Sequence, residues 1–352
     1  MDDRGFWRHE KIAFLALTTL KGVGFRTLHK IAASDEGFNH TLRNPSASSL
    51  ERVIRDAGFS DLEGQQRLWE LGIEEARKLA AMGIVLLFNG EATFPRKLKE
   101  ISDAPYWLFI QGSIENLKQS AASIVGTRKP SADGIFLTKY MVAALAKSKI
   151  VTVSGLAVGI DQTAHLESLR YGLPTVAVLG TGILENYPRG SEGLRAEIIA
   201  KGGTVLSEYL PCESYSSENF VRRNRLQAGL GDVLFPTEWK IKSGTAHTVK
   251  FAHKYGKKIV NLYLPATQEI RPELAFARDT YGAVSLEVPS ETGLLLQMIA
   301  ELSFTLLNGP REFSESQTPI LKSESVSHEP ISVSDDELIN PDMPKTPQMP
   351  LF

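Results

Sequence analysis

From residue 10 to about residue 80, apolar and polar positions alternate at helical spacing without β-branched runs, and that period predicts a small helical unit. Within it, "LTTLKGVGFRTLHKIA" sets Gly22 and Gly24 between two amphipathic stretches. The arrangement fits a helix-hairpin-helix whose amides contact a phosphate, and equally a plain turn between helices. From about Gly83 the pattern changes to short apolar runs: "GIVLLF", "YWLFIQG", "ASIVG", "IVTVSG", "TVAVLG", "GTVLSE", "DVLFPTE" and "KKIVNLYLP". Runs that are apolar at successive residues, with helical stretches between them, predict strands covered on both faces: an α/β fold with a doubly wound, mostly parallel sheet. After Leu307 the periodicity stops. Residues 306–352 hold 7 of the 18 prolines and 3 Lys+Arg against 8 Asp+Glu, a composition that cannot offset its ordering entropy by burial. The expected organisation is a helical domain over 1–80, an α/β domain over 81–305 and a disordered acidic Pro/Ser-rich tail over 306–352.

With 352 residues, 42% hydrophobic and 23% charged, the chain has room for one large domain and an appendage. The first residues, "MDDRGFWRHE", are polar, and no apolar run approaches the ~18 residues of a membrane span, so neither a signal peptide nor an anchor is expected. A cytoplasmic location is the default. The single cysteine, Cys212, excludes an intramolecular disulfide and a multi-cysteine zinc site. The net charge of −2 conceals an asymmetry: residues 103–265 carry 19 Lys+Arg against 13 Asp+Glu. A basic centre with an acidic tail suggests a polyanion partner or a regulatory tail.

The chemistry concentrates where strands end. Gly126, Gly155 and Gly180 each fall at a strand-to-helix junction, on the carboxyl edge where open α/β sheets bind ligands. In "SIVGTRKPSADG" the next glycine after Gly126 is Gly134, which matches neither nucleotide fingerprint. No cofactor is implied. Thr127, Arg128, Lys129 and Ser131 instead offer a guanidinium, hydroxyls and helix-start amides for a phosphate. "VSGLAVGIDQTAH" adds Ser154, Gly155 and Gly159, with Asp161 and His165 one helical turn apart; such a pair could do acid–base chemistry, but a capping Asp and a hydrogen-bonded His are the commoner roles. In "VLGTGILENYPRG", Gly180 and Thr181 precede Tyr187 and Arg189, an aromatic beside a cation that could stack a base or lie half buried. "ENFVRRNRLQAGLGD" carries Arg222, Arg223 and Arg225 within four residues, more cation than stability alone explains. Finally, Lys242, Ser243 and Gly244 open a helix after another strand. Glu238 is a candidate base without an orienting partner or metal ligands nearby in sequence.

Taken in order, "DAPYWLFIQG", "SIVGTRKPS", "SGLAVGID", "TVAVLGTGI", "GGTVLSE", "NFVRRNRLQAGLGD" and "SGTAHT" resemble the DNA-processing protein A (DprA/Smf) family over roughly residues 80–265. The resemblance implies an extended Rossmann-like domain that dimerises, binds and protects single-stranded DNA and helps load the recombinase RecA during natural transformation, with no established enzymatic activity. By the same resemblance the strand-binding arginine falls on Arg128, its turn on Gly126, Thr127 and Ser131, and the family's RNR cluster on Arg223, Asn224 and Arg225. Two departures stand out. Val158 occupies a position usually held by Lys or Arg, and "SGTAHT" replaces SGSLITA; losing one cation removes about one phosphate contact.

Two other function classes compete. Related Rossmann-like nucleotide hydrolases use a P-G-G-x-G-T-x-x-E motif, whose counterpart here, "SGTAHT", lacks the glycine pair and the glutamate; the other class is a nucleotide- or DNA-sensing module of a bacterial defence system. The chain closes on "QMPLF", which resembles the short bacterial sliding-clamp-binding peptide, with Gln348, Leu351 and Phe352 as the anchoring side chains and the tail as a tether.

Overall fold

The computed structural model describes residues 3–34 and 36–308. Five helices come first: α1 (Asp3–Thr18), α2 (Phe25–Ala33), α3 (Phe38–Arg43), α4 (Glu51–Asp56) and α5 (Leu62–Ala81). The α/β portion follows as β1 (Ile84–Phe88), α6 (Arg96–Lys99), β2 (Trp107–Gly112), β3 (Ala121–Gly126), α7 (Ala132–Leu145), β4 (Val151–Ser154), α8 (Ile160–Arg170), β5 (Thr175–Val178), α9 (Glu192–Ala200), β6 (Thr204–Ser207), α10 (Ser217–Leu230) and β7 (Val233–Glu238). It ends with α11 (Gly244–Lys254), β8 (Lys258–Tyr263), α12 (Pro272–Tyr281), β9 (Val284–Glu287) and α13 (Thr292–Asn308). All eight apolar runs are strands. The ninth, β9, escapes a reading based on apolar runs because Val284 is exposed and only Leu286 is fully buried.

The sheet runs β1-β2-β6-β5-β4-β3-β7-β8-β9. Only β2 is reversed, antiparallel to both β1 and β6; the other pairs are parallel. From β3 the chain winds outward through β4, β5 and β6, then returns to β3's other side with β7, so the connections leave β3 and β7 in opposite directions. That reversal opens a crevice at the carboxyl ends of these two strands.

Helices cover both faces. Ala122 and Ile124 of β3 and Phe235 of β7 pack with Leu137, Met141 and Leu145 of α7, while Val153, Val176 and Val178 meet Leu226 and Leu230 of α10 on the opposite face. The N-terminal helices share their core with the sheet: Phe14, Leu28, Phe38, Leu42, Ile54 and Leu68 bury against Phe88, Trp107 and Phe109. Phe14 alone contacts the rings of Phe38, Phe88 and Trp107 at 4.9–5.5 Å, within the range favoured by aromatic pairs. Gly22 and Gly24 form the turn into α2 and have open space beside them. No described helix is long and apolar enough to cross a membrane. The tail beyond α13, including Gln348, Leu351 and Phe352, lies outside the described residues.

Candidate functional site

The first turn at the crevice is built by β3. Its pairing with β7 shifts register between Val125 and Gly126, and the Thr127 amide donates to the Glu238 carbonyl at 2.8 Å. The chain then lifts off the sheet. Arg128 and Lys129 are exposed, and the Lys129 amide donates to the Thr127 hydroxyl at 3.2 Å. Ser131 caps α7 by accepting the Gly134 amide at 3.1 Å. The helix start is not vacant, however: a Glu238 carboxylate oxygen accepts the Ser131 amide at 2.9 Å and its hydroxyl at 3.2 Å. A Cβ at Gly134 would lie 1.8 Å from that oxygen, so glycine is required for the carboxylate to seat. Ser131 is exposed, and at this helix start Glu238 already supplies the anion that a helix N-terminus favours.

The RNR segment lies mostly in the interior. Helix α10 starts at a Ser216 cap, whose hydroxyl accepts the Asn219 amide at 3.0 Å, and its second half packs on the sheet. Arg223 is 3% exposed; its Nη1 donates to the Gly155 carbonyl at 2.8 Å and to the Val178 carbonyl. It thus ties together the ends of β4 and β5. A Cβ on Gly155 would meet this guanidinium at 1.9 Å, so that glycine serves close packing of a buried arginine. Burial pushes the Arg223 pKa down to about 10, which leaves it charged at neutral pH. Arg225, also 3% exposed, pairs with Glu208, which is 2% exposed. Asn224 is buried and donates to the Gly244 carbonyl at 3.1 Å. These three side chains hold the sheet's edge from within. Only Arg222 reaches the surface region, half buried, with Nε 3.3 Å from Glu208 and its guanidinium 4.8 Å over Phe25.

The other glycine turns divide in the same way. Ser154 is buried and donates to the Ile124 carbonyl at 2.6 Å; Gly180 and Thr181 are buried too. These three lie beneath the surface of the edge, and the Ser154 hydroxyl and the Thr181 carbonyl are taken up by protein partners. Gly159 is half buried, against the Thr127–Arg128 backbone. Lys242 and Gly244 are exposed, and the Ser243 hydroxyl donates to the Lys240 carbonyl at 2.7 Å.

Asp161 and His165 form no exposed acid–base pair. Asp161 accepts the Gly155 amide at 3.1 Å, and burial raises its pKa against the pull of Arg223. His165 is fully buried, its Nδ1 2.7 Å from the Thr175 hydroxyl, and burial pushes its pKa down to about 3. Among the described residues no three His, Cys, Asp or Glu side chains gather in a metal-binding group.

What the edge exposes is aromatic and cationic. Tyr187, from the loop after β5, lies 4.7 Å from Tyr215 and 5.0 Å from Phe220, ring centre to ring centre. Tyr215 is 44% exposed. Phe220, on the first turns of α10, rests against Gly180, and the Arg128 guanidinium sits 5.1 Å above its ring. One cation from the β3 turn is thereby held over an aromatic cluster built by β5, the α10 approach and α10 itself. Tyr187 is legible in sequence as an aromatic beside a cation. Tyr215 and Phe220 are missed because an isolated aromatic near a polar helix start carries no period, and only the proximity of separate segments reveals the cluster.

The family model for DNA recombination-mediator protein A matches residues 85–272. The DNA processing protein DprA of Streptococcus pneumoniae is 37% identical over 166 residues, 47% of this chain and 58% of that protein. Protein Smf of Synechocystis is 38% identical over 173 residues, 48% of this chain and 43% of that protein. The matches thus span about half the length of these relatives. Among solved structures, S. pneumoniae DprA superposes with a TM-score of 0.57 at 23% identity, covering 84% of this chain and 98% of that one. The Helicobacter pylori DNA processing protein A, studied for its single-stranded DNA binding mode, superposes with a TM-score of 0.54 at 25% identity, covering 62% of this chain and 96% of that one.

Proposed function

The chain belongs to the DNA recombination-mediator protein A family, and from that premise we propose that it binds single-stranded DNA along the carboxyl edge of its sheet, with little base specificity and no chemical turnover. The observation that carries the reading is Arg128 held over Phe220 beside Tyr187 and Tyr215. A guanidinium meets a backbone phosphate in a bidentate way, and aromatic rings stack unpaired bases whatever their identity. Duplex bases are already stacked and offer no free face to such rings. The single-stranded DNA binding described for the H. pylori neighbour supports the same reading.

The placement of the candidate acids and bases supports a reading without turnover. Glu238 is held by Ser131, Asp161 by Gly155, and His165 lies in the core against Thr175. The hydroxyls beside Glu238 and His165 have other duties: Ser131 caps α7 and Thr175 lies in the core, so neither pair stands as a nucleophile with a base and an orienting group. Delivery to a RecA-type recombinase extends the reading in the direction of the family description "recombination-mediator"; protection of the strand and action as a homodimer belong to the same proposal. The test is fluorescence anisotropy with oligo(dT), its duplex and free nucleotides side by side. Preference for the single strand, weakened by Arg128→Gln and by Phe220→Ala, is the expected result; equal affinity for the duplex refutes the stacking argument.

A further inference from the structure

A second basic surface stands apart from the edge glycines. Between α1, α5 and the loop after β1 lies a cleft of about 690 Å³, with Arg4, Arg8, Lys11 and Arg77 among its walls. Lys11 is answered by Glu91 at 2.7 Å. For Arg4, Arg8 and Arg77 no carboxylate lies within ion-pair distance among the described residues, and all three are exposed. Elsewhere on α5 the cations are paired: Arg67 with Glu63, and Lys78 with Glu74 and Glu75. Arg4 and Arg8 are four residues apart on α1, where like charges repel and lower helix stability. A cation cluster with no carboxylate partner among the described residues suits an anion.

Trp7 gives the cleft an aromatic wall, its ring stacked 5.8 Å from Phe88 at the end of β1. Phe6, 46% exposed, lies beside it with ring centres 5.0 Å apart. The cleft therefore repeats the chemistry of the edge site, cations interleaved with rings. The topology puts the two on one line. Because β2 is antiparallel to both β1 and β6, the carboxyl end of β1 lies on the same sheet edge as those of β6, β5, β4 and β3. At ~4.8 Å per strand, β1 stands three steps or ~14 Å from β5 and five steps or ~24 Å from β3. Between them Arg222 sits over Phe25, which itself packs on Trp107 of β2 and on Tyr209 just past β6.

We propose that this cleft is a second phosphate-binding station for the same DNA strand, so that a strand seated on Arg128 and Phe220 runs along the sheet edge, past Arg222, to Arg4, Arg8 and Arg77. The inference rests on the single-strand reading above and adds a direction and a minimum length to it. Strands too short to reach the cleft gain nothing from it. Lengths of ~4–16 nucleotides per single-strand module are usual, and a ~24 Å path falls within that range.

The test compares the full chain with a triple variant, Arg4→Gln/Arg8→Gln/Arg77→Gln, by anisotropy on oligo(dT) of about four and about twenty nucleotides, lengths at and beyond the limits of a single module. All three positions are exposed, so the melting temperature serves as the control for folding. On the long strand the variant should bind on the order of tenfold more weakly, and its log affinity–log salt slope should be shallower by about two, from three contacts at ~0.7 each. On the short strand it should match the parent. An unchanged long-strand affinity overturns the proposal, and so does an equal loss on both lengths. If the parent chain binds neither length, the single-strand reading itself fails, a result distinct from a parent that binds while the variant is indifferent.

Discussion

Replacing Arg225 with glutamine separates an interior role for the RNR segment from a role in gripping a strand. The guanidinium is 3% exposed and pairs with Glu208, itself 2% exposed. Removing one partner of a buried pair strands the other charge, at a usual cost of ~3–5 kcal/mol. Here the Arg222 Nε remains 3.3 Å from Glu208, so the lower end, about 3 kcal/mol, applies. Against a total stability of ~5–15 kcal/mol that is a large fraction. At ~2–4 °C per kcal/mol for a large domain, the melting temperature should fall by about 6–12 °C. Neutralising both groups in Glu208→Gln/Arg225→Gln should recover much of the loss, because the fully buried carboxylate is then no longer left alone and only the half-buried Arg222 gives up a partner. Thermal melts by circular dichroism on both single variants and the double variant complete the cycle. Arg128→Gln is the contrast: it loses an exposed cation–π contact worth ~0.5–1 kcal/mol, and its main effect should be on DNA affinity. An Arg225→Gln chain that melts with the parent yet binds DNA tenfold more weakly would refute the assignment of this arginine to the interior.

Tyr215→Ala and Phe220→Ala should each weaken single-strand binding by ~1–3 kcal/mol, the usual worth of one base stack; for the exposed Tyr215 the melting temperature should hold, and a titration showing no loss in either variant removes the stacking cluster from the site. Val158, 51% exposed, can accept a lysine without repacking, so Val158→Lys should tighten binding and steepen the salt slope by about 0.7; weaker binding would place the strand elsewhere. His165, with its folded pKa near 3 against an unfolded value of about 6.5, makes stability depend on acidity. Below pH ~6.5 the unfolded chain takes up a proton that the native chain refuses, so this contribution is complete above pH ~6.5 and declines by ~1.4 kcal/mol per unit down towards pH 3. Urea unfolding of His165→Asn should show a shallower loss between about pH 6 and 4.5, by ~2 kcal/mol; parallel curves for parent and variant would contradict a neutral buried imidazole.

Eight of the nine strands, and the sheet edge on which the glycine turns lie, were legible along the chain; β9, with only Leu286 fully buried, was not. A strand buried on both faces must be apolar at successive positions, so "ASIVG" and "TVAVLG" declare β3 and β5, and the glycines that end them mark where the chain must turn. The family was legible from its motifs for the same reason, since each is a local stretch with its own spacing. The reversal of β2 was not legible, because an apolar run reads alike in either direction and its partners lie elsewhere in the chain. Nor was the fate of the arginines. Arg222, Arg223 and Arg225 share one short segment, yet the helix turns Arg222 towards Phe25 and sends Arg223 and Arg225 under the sheet edge to Gly155, Val178 and Glu208. A charge pattern counts cations but cannot say which have a buried carbonyl or carboxylate waiting. The aromatic cluster shows the converse. Arg128, Tyr187, Tyr215 and Phe220 come from distant parts of the chain and meet only because β3 and β5 end on the same edge and α10 starts beside them. Local periodicity is a property of neighbours along the backbone, whereas burial and convergence belong to neighbours in space, which only the packed sheet supplies.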